Sequence, residues 1–339
     1  MSGLYRTELR RLGKRRFVRY LTLAGLLVLA AVAIGTFFTN QKVGPTQVAA
    51  AERAAEREYQ HNVQMNQQFQ QECERAKAAG TAQEGQFPPD CAMLEPPPRE
   101  VFQADWHMPA TFEFRDEFGG TITAFAAVLA LVAFVAGASF IGAEWSTGGM
   151  MNLLLWRPQR LKVLLTKLAA LVSGLLGVTV VAAAAWTAAF WAIGSYRGST
   201  AKMTVGAWQS FGLTGLRGLT LVLVAGVVGF GLASLGRHTA LALGGVLGVM
   251  VVGQFGLGIV LGLAKVTFLE AWLLPTYLLA WMNKKVTLEN YDACQASFRG
   301  GCEPATREIT WQNSSVLLAV GVVLVLGAAM WAVRRRDIT

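Results

Sequence analysis

Four cysteines, three histidines and a cluster of charges around Glu144 are the residues of this sequence best suited to chemistry. His61 and His107 lie far apart with no ligand cluster between them, and His238 sits in a tight turn, so no metal site is expected. No G-x-x-x-x-G-K-S/T, G-x-S-x-G or H-E-x-x-H occurs, which leaves no phosphate loop and no catalytic residue to propose. Cys73 and Cys91 are close in sequence, as are Cys294 and Cys302, and none of the four interrupts an apolar run. Disulfides persist outside the cytosol. Four cysteines allow three connectivities, of which the local pairs Cys73–Cys91 and Cys294–Cys302 are favoured over the other pairings and over free thiols.

The remaining chemistry is concentrated in "GAEWSTGGMMNLLLWRPQR", residues 142–160. Gly148 and Gly149 break a preceding helix, and Pro158 starts the next element. Between them Met150, Leu153, Leu154 and Trp156 fall at helical spacing. The spacing predicts a short helix lying along a membrane surface, a knob rimmed by Glu144, Arg157 and Arg160.

Apolar spans must position this segment. Hydrophobic residues make up 53% of the chain and charged residues 15%, well below the ~25% of soluble domains, so the class is a membrane protein. A helix needs about 20 apolar residues to cross hydrocarbon. Six segments qualify: 17–38, 118–142, 163–194, 213–235, 240–264 and 314–333. The first is too long for a signal peptide and lacks a small-residue cleavage site after it. The spans are nearly bare of ionisable groups; Lys167 and Arg217 are expected to snorkel from span ends.

The net charge of +9 does not signal nucleic acid, because most Lys and Arg flank spans rather than alternate with aromatics. With the N-terminus inside, segments 1–19, 143–167, 236–239 and 334–339 carry 15 basic residues against Glu8, Glu144 and Asp337. That asymmetry places both termini in the cytoplasm. Residues 1–16 read as a basic amphipathic segment on an anionic leaflet or as a plain positive flank, and the 334–339 tail is cytoplasmic.

The 39–117 loop then lies outside. Thr46–Ala79 lacks Gly and Pro and predicts one long helix with a thin stripe of Tyr59, Val63, Phe69 and Cys73, ended by Gly80. Five prolines follow, so the next stretch is neither helix nor central strand. Span five holds Gly244–Gly248 and Gly258–Gly262, small-xxx-small pairs suited either to packing within the chain or to a dimer or pathway face. Gln254, near its middle, must face protein or water. Residues 266–312 are expected to form interfacial or re-entrant short helices and a loop.

The run Glu144-x3-Gly148-x4-Leu153-Leu154, then Pro158-x-Arg160 and Lys167, resembles the signature of ABC-2-type permeases, membrane subunits of bacterial ABC exporters. The C-terminal "RRRDI" is similar to their common ending, and Gly149 departs from the usual Thr. The resemblance implies a pair of permease chains on two copies of a separate ATP-binding subunit, with ATP and Mg held there and no cofactor here. It makes 143–160 the coupling helix that docks on the ATPase. Spans two and five would line the path, with Phe125, Phe134, Phe140, Met250, Gln254 and Phe255 as candidates.

The expected architecture is an all-α membrane protein of six spans, with a coupling helix between spans two and three and a large helical extracytoplasmic loop between spans one and two. The expected function is ATP-driven export, from a bacterial plasma membrane, of a hydrophobic or amphipathic drug, lipid or peptide. A non-transporting receptor or scaffold with a disulfide-pinned cap is the rival reading. Membrane lipid is an expected partner and nucleic acid is not.

Overall fold

A computed structural model describes residues 2–80, 91, 98–156, 159–290 and 304–335. The chain is mostly helical and divides into two units. Six of its helical segments are long and apolar enough to cross a membrane. They are α2 (Arg16–Thr39), α4 (Phe114–Ser146), α6 (Arg160–Arg197), α7 (Val205–Gly236), the Thr239–Leu263 segment and α11 (Trp311–Arg335).

The first unit comprises Met1–Ile34, Arg115–Trp191 and Lys202–Thr339. Its bundle is drawn together where α4 and α7 cross with small residues at the contact. A Cβ on Gly137 would collide with the Gly226 carbonyl, and one on Gly229 with the Phe134 carbonyl. Backbones this close gain dispersion contact that larger side chains would prevent. A Cβ on Gly231 would strike Val325, so α11 packs on the same helix, α7, equally tightly. Arg237 has φ 54° at the end of α7, and His238 Nδ1 accepts from Ala240 N (3.2 Å) to start α8 (Thr239–Gly248).

The Thr239–Leu263 segment is not one regular helix. Between α8 and α9 (Leu257–Leu263), Val249–Gly256 winds as a π-helix. Such stretches are rare and widen the turn. Gly244, Gly248 and Gly258 find nothing within 4 Å of an added Cβ, so the close approaches made by glycines of α2, α4, α6 and α7 are not shared by these glycines of span five. Gln254 Oε1 accepts from Leu274 N (2.6 Å), which gives its amide a protein partner and satisfies a donor at the start of α10 (Leu274–Asn283).

Short helices do form after span five, a 3-10 turn at Leu269–Trp272 and α10. The expectation of helices and loop alone misses a hairpin: Lys285–Asn290 (β3) pairs antiparallel with Ala305–Thr310 (β4). Ile309 is buried there with Ala271 and Ala280, against Val286 and Leu288. Cys294 and Cys302 lie outside the described residues.

The second unit is Gly35–Phe114 with Ala192–Ala201. Its long helix, α3 (Pro45–Ala78), starts with Pro45 in the first turn, and Gln47 Oε1 takes the Gly44 N–H at 2.6 Å. Gly80, at φ +66°, follows its end. Glu56 and Glu58 pair with Arg99 (2.6 Å) and His107 (2.9 Å), and Tyr59 meets Phe102 edge-on. Cys73 and Cys91 are disulfide-bonded, as the favoured local pairing has it. The buried face of α3 is Ala51, Ala55 and Cys73, whereas Phe69 is 40% exposed. A two-residue parallel pairing, Phe112–Glu113 (β1) with Gly198–Ser199 (β2), completes the unit.

Candidate functional site

At the end of the bundle where α1 (Ser2–Lys14) lies, charges from three elements meet in the interior. Lys167, on the second turn of α6, has a fully buried side chain. Its ammonium pairs with Glu8 Oε2 of α1 (2.7 Å) and Glu144 Oε2 of α4 (2.5 Å). Arg15, in the break between α1 and α2, donates to Glu144 Oε1 and to the Ser139 carbonyl, both at 2.9 Å. Arg11 reaches Glu8 Oε1 at 3.3 Å. Both cations also approach the buried Phe140 ring, Arg15 at 5.2 Å and Lys167 at 5.5 Å from its centroid.

The arrangement joins segments far apart in the chain. Removing charges from water is costly, and only multiple partners offset that cost. Here two carboxylates hold one lysine, with two arginines outside them. Lys167 therefore does not snorkel from a span end, as its position suggested: it is enclosed by partners. Arg217 is likewise drawn against protein, its guanidinium 5.9 Å from the Trp311 ring centroid. Around the charges Leu12, Ile141, Met150, Val163, Leu164, Leu171 and Phe230 form an apolar core, and Tyr5 donates to Ser173 Oγ (2.7 Å).

That core also fixes the connector. Its helix, α5 (Gly149–Trp156), follows Gly148 at φ +73°, a conformation that L side chains adopt only with strain. Met150 is fully buried and Leu153 packs beside it. Met150 and Leu153 of α5 are thus turned to their own bundle, and Glu144 is buried instead of standing on a rim. Among the described side chains, α5 and the turn before it leave Ser146, Thr147, Gly149 and Asn152 exposed. A Cβ at Gly149 would meet only ordinary contacts at 3.7 Å, so the turn's glycine requirement falls on Gly148. Arg160 begins α6 half-exposed; Arg157, Pro158 and the side chain of Leu154 lie outside the described residues.

Beside α5, Arg10, Arg11 and Lys14 of α1, with Arg15 just after them, face an open cleft that Glu144 and Gly149 also line. The six pathway candidates do not converge. Phe125 borders an aromatic cavity, Phe134 packs on Gly229, and Phe140 is core. Met250 and Gln254 are half-buried on the π-helical stretch, and Phe255 is 73% exposed.

A family model described as ABC-2 family transporter protein matches residues 8–337. The chain belongs to this family. No curated protein matches its sequence. As an ABC-2 family member it is a multi-pass membrane protein and a transport subunit rather than an enzyme.

Within this ABC-2 protein the motif positions Glu144 and Lys167 form one ion pair, and two further members escaped sequence reasoning. Glu8 stands 159 residues before Lys167, and Arg15 stands 129 before Glu144. A signal was present: Tyr5, Glu8 and Leu12 follow one another at three- and four-residue steps, an acid on the apolar face of an otherwise basic helix.

Proposed function

We propose that this chain is the permease subunit of an ATP-driven exporter, driven by a separate ATP-binding chain that seats against α5. The observation that carries this reading is the position of α5. Its exposed polar edge faces away from the bundle, while Met150 roots it in a core that also encloses the Glu8–Lys167–Glu144–Arg15 charges. Pressure on α5 is passed to α1, α4 and α6 together, because close-packed interiors transmit displacement. ATP and Mg act on the partner, and the basic cleft beside α5 complements acidic groups on it.

In this reading the α1 end is cytoplasmic, as the charge asymmetry requires, and the disulfide-bearing unit lies outside a bacterial plasma membrane. Two copies of the chain pair, and the apolar Thr239–Leu263 segment, whose Leu247, Val251, Val252 and Phe255 are exposed in one copy, is the face offered to lipid or to the second copy. The cargo is hydrophobic or amphipathic. A photo-reactive amino acid placed at Thr147 or Asn152 should cross-link a co-expressed ATP-binding chain, whereas one placed at Glu52 on α3 should not. Cross-links from Glu52 alone would sink this proposal and favour a receptor working through its outer unit.

A further inference from the structure

Toward the other end of the bundle α4, α6 and α7 line a half-open cavity of about 320 Å³. Trp186 lies 19 residues along α6 from Lys167, about 28 Å at the helical rise. Five aromatic rings line the cavity: Phe118, Phe125, Trp186, Trp208 and Phe211. They are set against one another, Phe125 on Trp186 at 5.5 Å and Phe118 edge-on to Phe211 at 5.1 Å. One wall is flat. Gly212, Gly215 and Gly218 recur every third residue of α7; an added Cβ at Gly212 or Gly215 would meet nothing within 4 Å, whereas one at Gly218 would press on Ala126 of α4 at 2.9 Å. No charged side chain lines the cavity among the described residues.

One polar group there lacks a partner. The indole N–H of Trp186 is buried, the residue 6% exposed, and it has no acceptor among the described residues. A buried donor left without an acceptor is costly, and native structures seldom tolerate one unless something else supplies the bond. Acyl chains carry no acceptor along their length, so they would leave it unmet. A flat ring system fits both the aromatic faces and the glycine wall. We propose that this cavity binds a neutral, planar polycyclic compound that places a carbonyl or ether oxygen on the Trp186 N–H. This proposal rests on the transport reading, because it names the cargo class and its seat within a single chain. The volume suits a compact ligand, since small-molecule sites run from about 300 Å³ upward.

Nile red, a neutral planar dye with one ring carbonyl, serves as the probe. The full chain is placed in phosphatidylcholine nanodiscs, and saturable dye fluorescence is measured against empty nanodiscs. Wild type should show a saturable component. Gly215→Leu, which projects into the cavity, should weaken it by at least about tenfold, and Trp186→Phe, which keeps a ring but removes the N–H, by about fivefold. Gly244→Leu, an equally open glycine outside the cavity, should leave it unchanged. Absence of saturable binding, or equal binding by wild type and Trp186→Phe, overturns the proposal. So does a phospholipid found by native mass spectrometry in wild type but not in Gly215→Leu, if the dye does not displace it. Because no ATP-binding chain is present, failure here leaves the coupling proposal standing, and failure of the α5 cross-link leaves this one standing.

Discussion

Lys167 has more to lose from one substitution than any other residue discussed. Lys167→Met would leave Glu8 and Glu144 facing each other without their shared cation, and an uncompensated buried charge costs about 3–5 kcal/mol. Thermal unfolding of the detergent-purified chain should fall accordingly. Restoring the cluster's original net charge with Glu8→Gln in the same chain should recover part of the loss; no recovery would mean that Lys167 acts through packing alone. Gly148 offers a second test at this scale. Gly148→Ala at φ +73° should destabilise by about 1 kcal/mol, while Gly149→Thr should be close to neutral, read by the same melts. Sequence reasoning reached Glu144 and Lys167 because they sit in one local pattern. Glu8 carried only the faint signal of an acid in step with Tyr5 and Leu12, and Arg15 was hidden by distance, since nothing local says which of many basic residues turns inward to Glu144.

Among the elements, the long helices were legible and the irregular ones were not. An apolar run of membrane length has one solution in lipid, a helix that satisfies its own backbone. The π-helical stretch, by contrast, shifts hydrogen bonds by one residue without changing composition. Gln254 was read as needing a protein or water partner, but which one was not visible. Gln254→Leu should free the Leu274 N–H and loosen α10 at a cost of about 1–3 kcal/mol, seen as faster amide exchange over residues 274–283. The β3–β4 hairpin was missed although Lys285–Asn290 alternates in burial, because the strand follows directly on an apolar helix. In α3 the apolar stripe holds at Cys73, which is buried, and at Tyr59, which meets Phe102, but Phe69 is exposed while Ala51 and Ala55, with a weaker hydropathy signal, are buried. Cys73→Ser should remove about 3 kcal/mol of restraint for a bridge closing a loop of this length, measured as a lower melting temperature of the purified chain.

Across the whole molecule, basic residues gather at the α1 end of the first unit and charge is scarce in the spans. Composition alone carried that much. The burial of α5 against its own bundle was not legible, because a short apolar helix reads identically whether it covers lipid, a partner or its own core. The Glu8–Lys167 pair has a consequence for how the protein is made. Translation delivers Glu8 159 residues before its partner, and at about 5–20 residues per second it waits on the order of 10–30 s. Through that interval Glu8 is without its lysine. Full docking of α1 therefore waits for the start of α6, and completes only in chains whose third span has been inserted in the correct direction. A chain with that span inverted would keep an undocked, protease-accessible amino-terminal helix, a ready mark for quality control.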